Sequence, residues 1–273
     1  MNNTIFVTGA SSGLGMSVCK HFANLGWNVV ASMRNTEKGL IYKEYKNVFV
    51  VSLDVTKLEM AENAMKEAVD KYGKIDVLFN AAGYGGVFLF EDKDDNYFKA
   101  QMDTNFYGTV NTTRAVIPYM REKRSGHIIN VTSIAGKAGI PFQSAYVASK
   151  HAVSGFTDSL AYEVKNFGIN MTIFEVGGMN TGFVKAMDNA EEVSINDYKE
   201  YFERVSTKLE SATIDAYKNA PSSDMVAKKV EKLVNMSSPP VFFRPTSDSR
   251  IMEIIRRVFP RKHFRNLMKM GLE

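Results

Sequence analysis

The sequence predicts a doubly wound α/β fold, a parallel sheet with helices on both faces, and three observations predict it. Short β-rich runs alternate with amphipathic helical segments along the whole chain. The β-rich runs are apolar on both faces, as strands are when helices cover both sides of the sheet. The first run ends in a glycine-rich turn that opens directly into a helix. In order, the strands read as Thr4 to Thr8, Asn28 to Ser32, Val48 to Val51, Val77 to Phe79, His127 to Val131 and Met171 to Val176. The helices between them read as Gly13 to Leu25, Lys57 to Tyr72, Asp103 to Lys123 and Ser144 to Asn166. Ligands of such folds bind beyond the carboxyl ends of the strands, so the residues that follow each strand carry most of the information.

A chain of 273 residues with 45% hydrophobic and 23% charged residues suits one large domain spanning residues 1–273. No internal repeat or low-complexity segment breaks it. The single cysteine, Cys19, permits no intrachain disulfide, falls in a predicted helix and reads as a small buried residue of a protein kept in a reducing compartment. The start of the chain has neither a basic leader nor a long apolar core, and no apolar run approaches the ~20 residues that span a bilayer. A cytoplasmic location is the expectation. The net charge of +4 is concentrated at the end, where residues 250–273 carry seven Arg or Lys against two Glu. The remainder is close to neutral, which argues against a nucleic-acid surface.

The first turn reads Thr8-Gly9-Ala10-Ser11-Ser12-Gly13-Leu14-Gly15. Its glycines allow a tight turn, a close approach of backbone to a pyrophosphate and close packing of helix on strand. The helix that follows presents unpaired N–H groups to negative charge. The pattern predicts a dinucleotide site, and the lack of a Gly-Lys-Ser/Thr ending disfavours a phosphotransferase loop. After the second strand the chain reads Ala31-Ser32-Met33-Arg34. An acidic side chain there would meet a free ribose 2′-hydroxyl, whereas an arginine suits a 2′-phosphate, so NADP(H) is preferred over NAD(H).

Tyr146 and Lys150, four residues apart on a predicted helix, share one face and reach the same small-molecule oxygen. A tyrosine of ordinary pKa about 10 needs a shift of roughly three units, about 4 kcal/mol, to exchange protons near neutrality. A neighbouring ammonium supplies part of that.

Glycine loop, cofactor wall and Tyr/Lys pair stand in the order of the short-chain dehydrogenase/reductase family, whose compact branch this chain resembles over roughly residues 4–235. The shared motifs are Thr8-Gly-x-x-x-Gly-x-Gly15, Leu53-Asp54-Val55, Asn80-Ala81-Ala82-Gly83, Asn105, Ser133 and Tyr146-x-x-x-Lys150. The resemblance implies a Rossmann-like sheet of about seven strands. It also implies that Asp54 and Val55 flank the adenine and that Asn80 to Gly83 form the wall beside the nicotinamide ribose. The lesser alternatives are a helix N-cap for Asp54 and a strand-end turn for the Asn-Ala-Ala-Gly run. In the implied mechanism Ser133 holds a substrate carbonyl and Tyr146 gives a proton to the developing alkoxide. Lys150 holds the ribose hydroxyls and lowers the tyrosine pKa, and Asn105 kinks its helix and holds a relay water. Homodimers or homotetramers through the helices 103–123 and 144–166 are also implied.

One departure stands out. The family's Pro-Gly-x-x-x-Thr after the sixth strand is Val176-Gly177-Gly178-Met179-Asn180-Thr181 here, so Gly177 and Thr181 match but the proline is missing. A more flexible loop and weaker cofactor binding are the expectation.

Residues 182–221 form an insertion with an apolar stripe at Tyr198, Tyr201, Phe202, Val205 and Leu209. The stripe is either plain packing or a lid that closes, with Ile140, Phe142 and Met179, over an apolar pocket. No arginine clamp is evident among them, so a lipophilic ketone, aldehyde or alcohol is the expected substrate. The extension over about 237–273 resembles that of hydroxysteroid- and retinol-dehydrogenase-like members. Its periodicity turns Val258, Phe264, Leu267 and Met268 toward the body and leaves Arg256, Arg257, Arg261, Lys262 and Arg265 in water. It is either a solvated cap or a weak contact to anionic membrane. The rival reading of the whole chain is an NAD(P)-sensing regulator without turnover, which has no need of Ser133, Tyr146 and Lys150. A sugar-nucleotide epimerase would need a larger C-terminal domain than the chain leaves.

Overall fold

A computed structural model describes residues 2–180, 193–218, 220–260, 262, 263 and 266. Within them seven strands pair, all in parallel, in the order β3-β2-β1-β4-β5-β6-β7. These are β1 (Thr4–Thr8), β2 (Asn28–Met33), β3 (Val48–Ser52), β4 (Val77–Asn80), β5 (Gly126–Ser133), β6 (Ile169–Val176) and β7 (Phe242–Phe243). The helices are α1 (Gly13–Asn24), α2 (Leu58–Tyr72), α3 (Asp95–Met102), α4 (Gly108–Lys123), α5 (Ser144–Val164), α6 (Asn196–Lys218), α7 (Ser223–Val234) and α8 (Ser247–Val258).

Successive strand residues point to opposite faces, and each face has its own core. Ile5, Val7, Phe79, Ile129 and Phe174 pack with Val18 and Phe22 of α1 and Val230 of α7. Phe6, Leu78, Ile128 and Met171 pack with Met65 of α2 and Val116 of α4 on the other side. Each such fully buried side chain stabilises the fold by about 1.5–3 kcal/mol, which explains why the strands had to be apolar throughout. Cys19 lies in the first core, where burial pushes its thiol up to about 12, so it stays an unreactive thiol.

The strand order reverses direction between β1 and β4, which opens a crevice at the carboxyl edge of the sheet. The predicted helix Asp103 to Lys123 proves to be α4 preceded by a π-helical turn, Asp103–Tyr107, that continues from α3. Such a bulge bends the helix locally and re-aims one side chain, here Asn105.

The C-terminal extension is bound to the sheet by polar groups. His127 of β5 is buried, and its Nε2 meets Thr172 Oγ1 at 2.9 Å, which donates in turn to Pro240 O at 2.8 Å. The ring nitrogen is therefore the donor, and burial draws the His127 pKa down to about 4. Glu175, 1% exposed, lies 3.1 Å from Lys137 Nζ and 3.2 Å from Arg244 Nε. Glu253 of α8 joins the same cluster through Lys137, Arg244 and Arg257. Against the periodicity reading, Val258 is 68% exposed. Helix α8 docks through Asp248, Ser249 and Glu253, and the apolar Ile251, Ile254 and Val258 face outward. Phe264, Leu267, Met268, Arg261 and Arg265 lie outside the described residues. Among the described residues no helix is long and apolar enough to cross a membrane.

Candidate active site

The glycine loop follows β1 at the crevice. Gly9 and Gly13 adopt positive φ of 68° and 52°, a conformation that a side chain would strain. A Cβ at Gly9 would come within 2.9 Å of the Ala82 backbone, and one at Gly15 would overlap the carbonyl of Gly9. The loop therefore lies flat against Ala81 and Ala82, and α1 packs close behind it. Ala10 is pinned from two sides, its N–H donating to Ser32 O at 3.1 Å and its carbonyl accepting from Tyr42 Oη at 2.5 Å. Ser12 caps α1 in extended conformation without a side-chain bond, no acidic residue lies in the first turn, and Leu14 turns into the core. A bare helix N-terminus behind a glycine-rich turn fits the pyrophosphate of a dinucleotide.

Beyond β2, Arg34 is exposed, and Asn35 caps the short helix Thr36–Tyr42 by accepting from Glu37 N at 2.9 Å. Asp54 accepts from Thr56 N at 3.0 Å and Thr56 Oγ1 at 2.8 Å through the same Oδ1. It forms a local turn rather than the helix N-cap, which is Lys57. Val55 beside it is buried, with its carbonyl held by Asn111.

The Asn80-Ala81-Ala82-Gly83 run divides into two functions. The Asn80 side chain points into the core: its Nδ2 donates to Asn130 Oδ1 at 2.9 Å, and its Oδ1 accepts from Thr112 Oγ1 at 2.8 Å. Thr8 Oγ1 accepts from the N–H groups of Ala81 and Ala82 at 3.0 and 3.1 Å, fastening the end of β1 to the end of β4. Backbone of Ala81 to Gly83 is thereby left as a wall. In this polar core Thr8 and Asn80 are residues the sequence assigns to the cofactor site, whereas Thr112 and Asn130 are not, and an asparagine inside the apolar run 127–131 is the only signal for the latter.

The remaining residues converge at Gly83. A Cβ built there would lie 2.9 Å from Asn105 Oδ1 and 3.6 Å from Lys150 Nζ. Asn105, fully buried on the π turn, accepts from Tyr84 N at 3.0 Å and donates to Tyr84 O at 2.9 Å and Ser149 Oγ at 3.0 Å. Tyr146 and Lys150 lie one turn apart on α5 and are 8% and 7% exposed. The ammonium stands 5.8 Å from the Tyr146 ring centroid and donates to Val131 O at 3.1 Å. Ser133, two residues further along β5, accepts from Ala135 N at 3.2 Å, which leaves its own proton to be donated. Burial draws the Lys150 pKa from the ordinary 10.5 down to about 8. At neutral pH the group is still an ammonium, poorly solvated and 5.8 Å from the Tyr146 ring centroid.

The loop after β6 is anchored at several points. Gly177 N donates to Thr246 Oγ1 at 3.0 Å, Gly178 N to Asp248 Oδ2 at 2.6 Å, and Asn180 N to Pro221 O at 3.2 Å. These ties fasten three backbone N–H groups of the segment that lacks the family's proline. Thr181 lies outside the described residues. At the substrate end Phe142, with a positive φ of 60°, packs 4.5 Å from Phe202 and 5.7 Å from Tyr201 of α6, measured between ring centroids. Phe202 and Leu89 form the centre of that small cluster, and Ile140 lies half-buried nearby in sequence. Met179 packs instead on the α1 side of the sheet, so it does not join Phe142.

Comparisons with known proteins agree with this fold. A family model described as short chain dehydrogenase matches residues 3–192. The chain is 36% identical over 244 residues to oxidoreductase BOA17 of Botryotinia fuckeliana, covering 88% of each. It is 34% identical over 237 residues to a 3-ketodihydrosphingosine reductase of Bacteroides thetaiotaomicron, covering 86% of this chain and 85% of that one. Among solved structures, a short-chain dehydrogenase from Streptomyces avermitilis superposes with a TM-score of 0.81 at 25% identity, over 99% of this chain and 97% of that one. ElxO with NADP bound gives 0.72 at 25% identity, over 89% and 97%.

Proposed function

This chain belongs to the short-chain dehydrogenase/reductase family of oxidoreductases, and we propose that it interconverts a lipophilic ketone or aldehyde and its alcohol with NADP(H), Tyr146 acting as general acid and base. One observation carries the reading: Gly83, Asn105, Lys150 and Tyr146 converge at the carboxyl edge of the sheet, where the glycine cradle also opens. The nicotinamide of the bound cofactor supplies or accepts the hydride. Thr8, Gly9, Ser11 to Gly15 and the Ala81 to Gly83 wall hold its pyrophosphate and inner ribose. Asp54 and Val55 flank the adenine, and Gly177 lies toward the nicotinamide, an end to which Thr181 is assigned by the motif alone.

In the reducing direction Ser133 Oγ donates to the carbonyl oxygen and orients it. The Tyr146 phenol gives its proton to that oxygen, and the tyrosinate left behind is stabilised by Lys150 and reprotonated from solvent. Asn105, joined to Tyr84 and Ser149, holds this side of the site in place. Because the Lys150 ammonium is lost as pH rises through about 8, kcat/KM for carbonyl reduction is expected to fall above that pH. A profile flat well into the alkaline range would count against the role of the cation.

Arg34 is the basis for NADP(H). KM for NADPH is expected to lie below that for NADH, and Arg34→Asp is expected to reverse the order by removing the 2′-phosphate's cation. A native preference for NADH would discard the assignment.

For the substrate, Ile140, Phe142 and the aromatic face of α6 offer a largely apolar surface, with Arg204 stacked 5.7 Å from the Tyr201 ring centroid, and one relative is named for reducing 3-ketodihydrosphingosine. Helix α6, the described part of the predicted lid over residues 182–221, is read as the cover over that surface, without Met179. NADPH consumption across steroids, retinoids, quinones, aliphatic aldehydes, keto esters and long-chain ketones ranks the candidates. Turnover of none, by a chain that binds NADPH, would favour the non-catalytic regulator.

The protein is read as cytoplasmic and as a homodimer or homotetramer through α4 and α5. Its outward Ile251, Ile254 and Val258, set beside Arg250, Arg256 and Arg257, suit weak contact with anionic membrane. Co-sedimentation with phosphatidylserine vesicles is expected for the full chain and is expected to drop for Ile251→Ser/Ile254→Ser; equal sedimentation of the two would reject the contact.

A further inference from the structure

We propose that Asp248, at the start of α8, is a positioning residue for the nicotinamide end of the site; the inference rests on the cofactor reading above. Val176 pairs with Ser133 across β5 and β6, so the chain leaves the sheet level with the proposed catalytic serine and enters Gly177 and Gly178 at once. Where the family has proline to stiffen this departure, the C-terminal extension supplies the restraint. Asp248 Oδ2 accepts from Gly178 N at 2.6 Å, and Oδ1 accepts from Ser249 N at 2.8 Å. The neighbouring Gly177 N donates to Thr246 Oγ1, which donates to Ser249 Oγ at 3.0 Å, and Ser249 Oγ donates back to Thr246 O at 2.9 Å. Thr246 and Ser249 are buried, so this small polar cluster is a built part of the fold.

Gly177 adds an independent observation. A Cβ there would overlap the Asp248 carboxylate, although the residue does not adopt positive φ. A side chain at this position would have to displace the carboxylate from the backbone it holds. With Asn180 fastened to Pro221, the four residues 177–180 are strung between two anchors, and Asp248 is the charged one.

The test compares the full-length chain with Asp248→Ala for binding of NADPH and of 2′-phospho-ADP-ribose, the same molecule without its nicotinamide ring. NADPH affinity is expected to drop about tenfold in the variant, the effect of one lost charge-assisted hydrogen bond. Affinity for the ring-less ligand is expected to stay unchanged. Asp248→Asn, which keeps an acceptor oxygen, is expected to recover most of the loss. Equal weakening of both ligands would mark general destabilisation and overturn the proposal, as would no weakening of either. A second pair serves if Asp248→Ala folds poorly: Gly177→Ala is expected to weaken NADPH binding through the clash, and adding Asp248→Ala is expected to restore part of it. Simple addition of the two losses would overturn the proposal. An unmutated chain that binds neither NADPH nor NADH would instead remove the cofactor reading itself, and this inference with it.

Discussion

Tyr146→Phe is expected to lower turnover of a good carbonyl substrate about a thousandfold, some 4 kcal/mol of transition-state stabilisation, with NADPH binding nearly unchanged. The substitution removes one hydroxyl and keeps the ring. Tyr146 is buried on α5 with the Lys150 ammonium 5.8 Å from its ring centroid, a contact that phenylalanine preserves. The fold should therefore survive, and the lost rate should reflect the lost proton donor. Steady-state kinetics beside a cofactor titration separate the two effects. Retention of most of the turnover would show that the proton comes from elsewhere.

Glu175→Gln is expected to destabilise the protein by about 3 kcal/mol, read as a lower urea midpoint at constant slope. Glu175 is 1% exposed and lies between Lys137 and Arg244 at 3.1 and 3.2 Å, neither contact having hydrogen-bond geometry. Its contribution is therefore Coulombic, and the amide leaves two poorly solvated cations facing each other with only Glu253 between them. The double change Lys137→Met/Glu175→Leu, which removes opposite charges together, is expected to recover much of the loss. If Glu175→Gln unfolds at the wild-type midpoint, the cluster contributes nothing to stability.

Strand positions were legible in the sequence because fully buried parallel strands carry unbroken apolar runs; β1 matches residue for residue, and the next five differ at their ends. The Tyr146 and Lys150 pairing and the glycine cradle were legible for a similar reason, since each is a local spacing with a direct geometric consequence. Two-residue β7 was not, because Phe242 and Phe243 are strand only by pairing with Ile173 and Phe174. Helix α8 shows a different limit. Periodicity finds an apolar stripe but does not say which way it faces, and here ion pairs and the bond from Gly178 N to Asp248 decided the docking side. Asn80 was read as part of the cofactor wall, yet only its backbone is left for that, because its amide is spent on Asn130 and Thr112.

That buried amide row also bears on how the chain assembles. Thr8, Asn80 and Asn130 stand directly across from one another on β1, β4 and β5, and Asn130 Nδ2 donates on to Thr157 Oγ1 at 2.9 Å. Sliding any of the three strands by a single residue would turn its amide or hydroxyl to the opposite side of the sheet, stranded in hydrocarbon. Mispaired intermediates thus carry a penalty that the apolar residues alone would not impose, and the row acts as a proofreading mark during strand assembly.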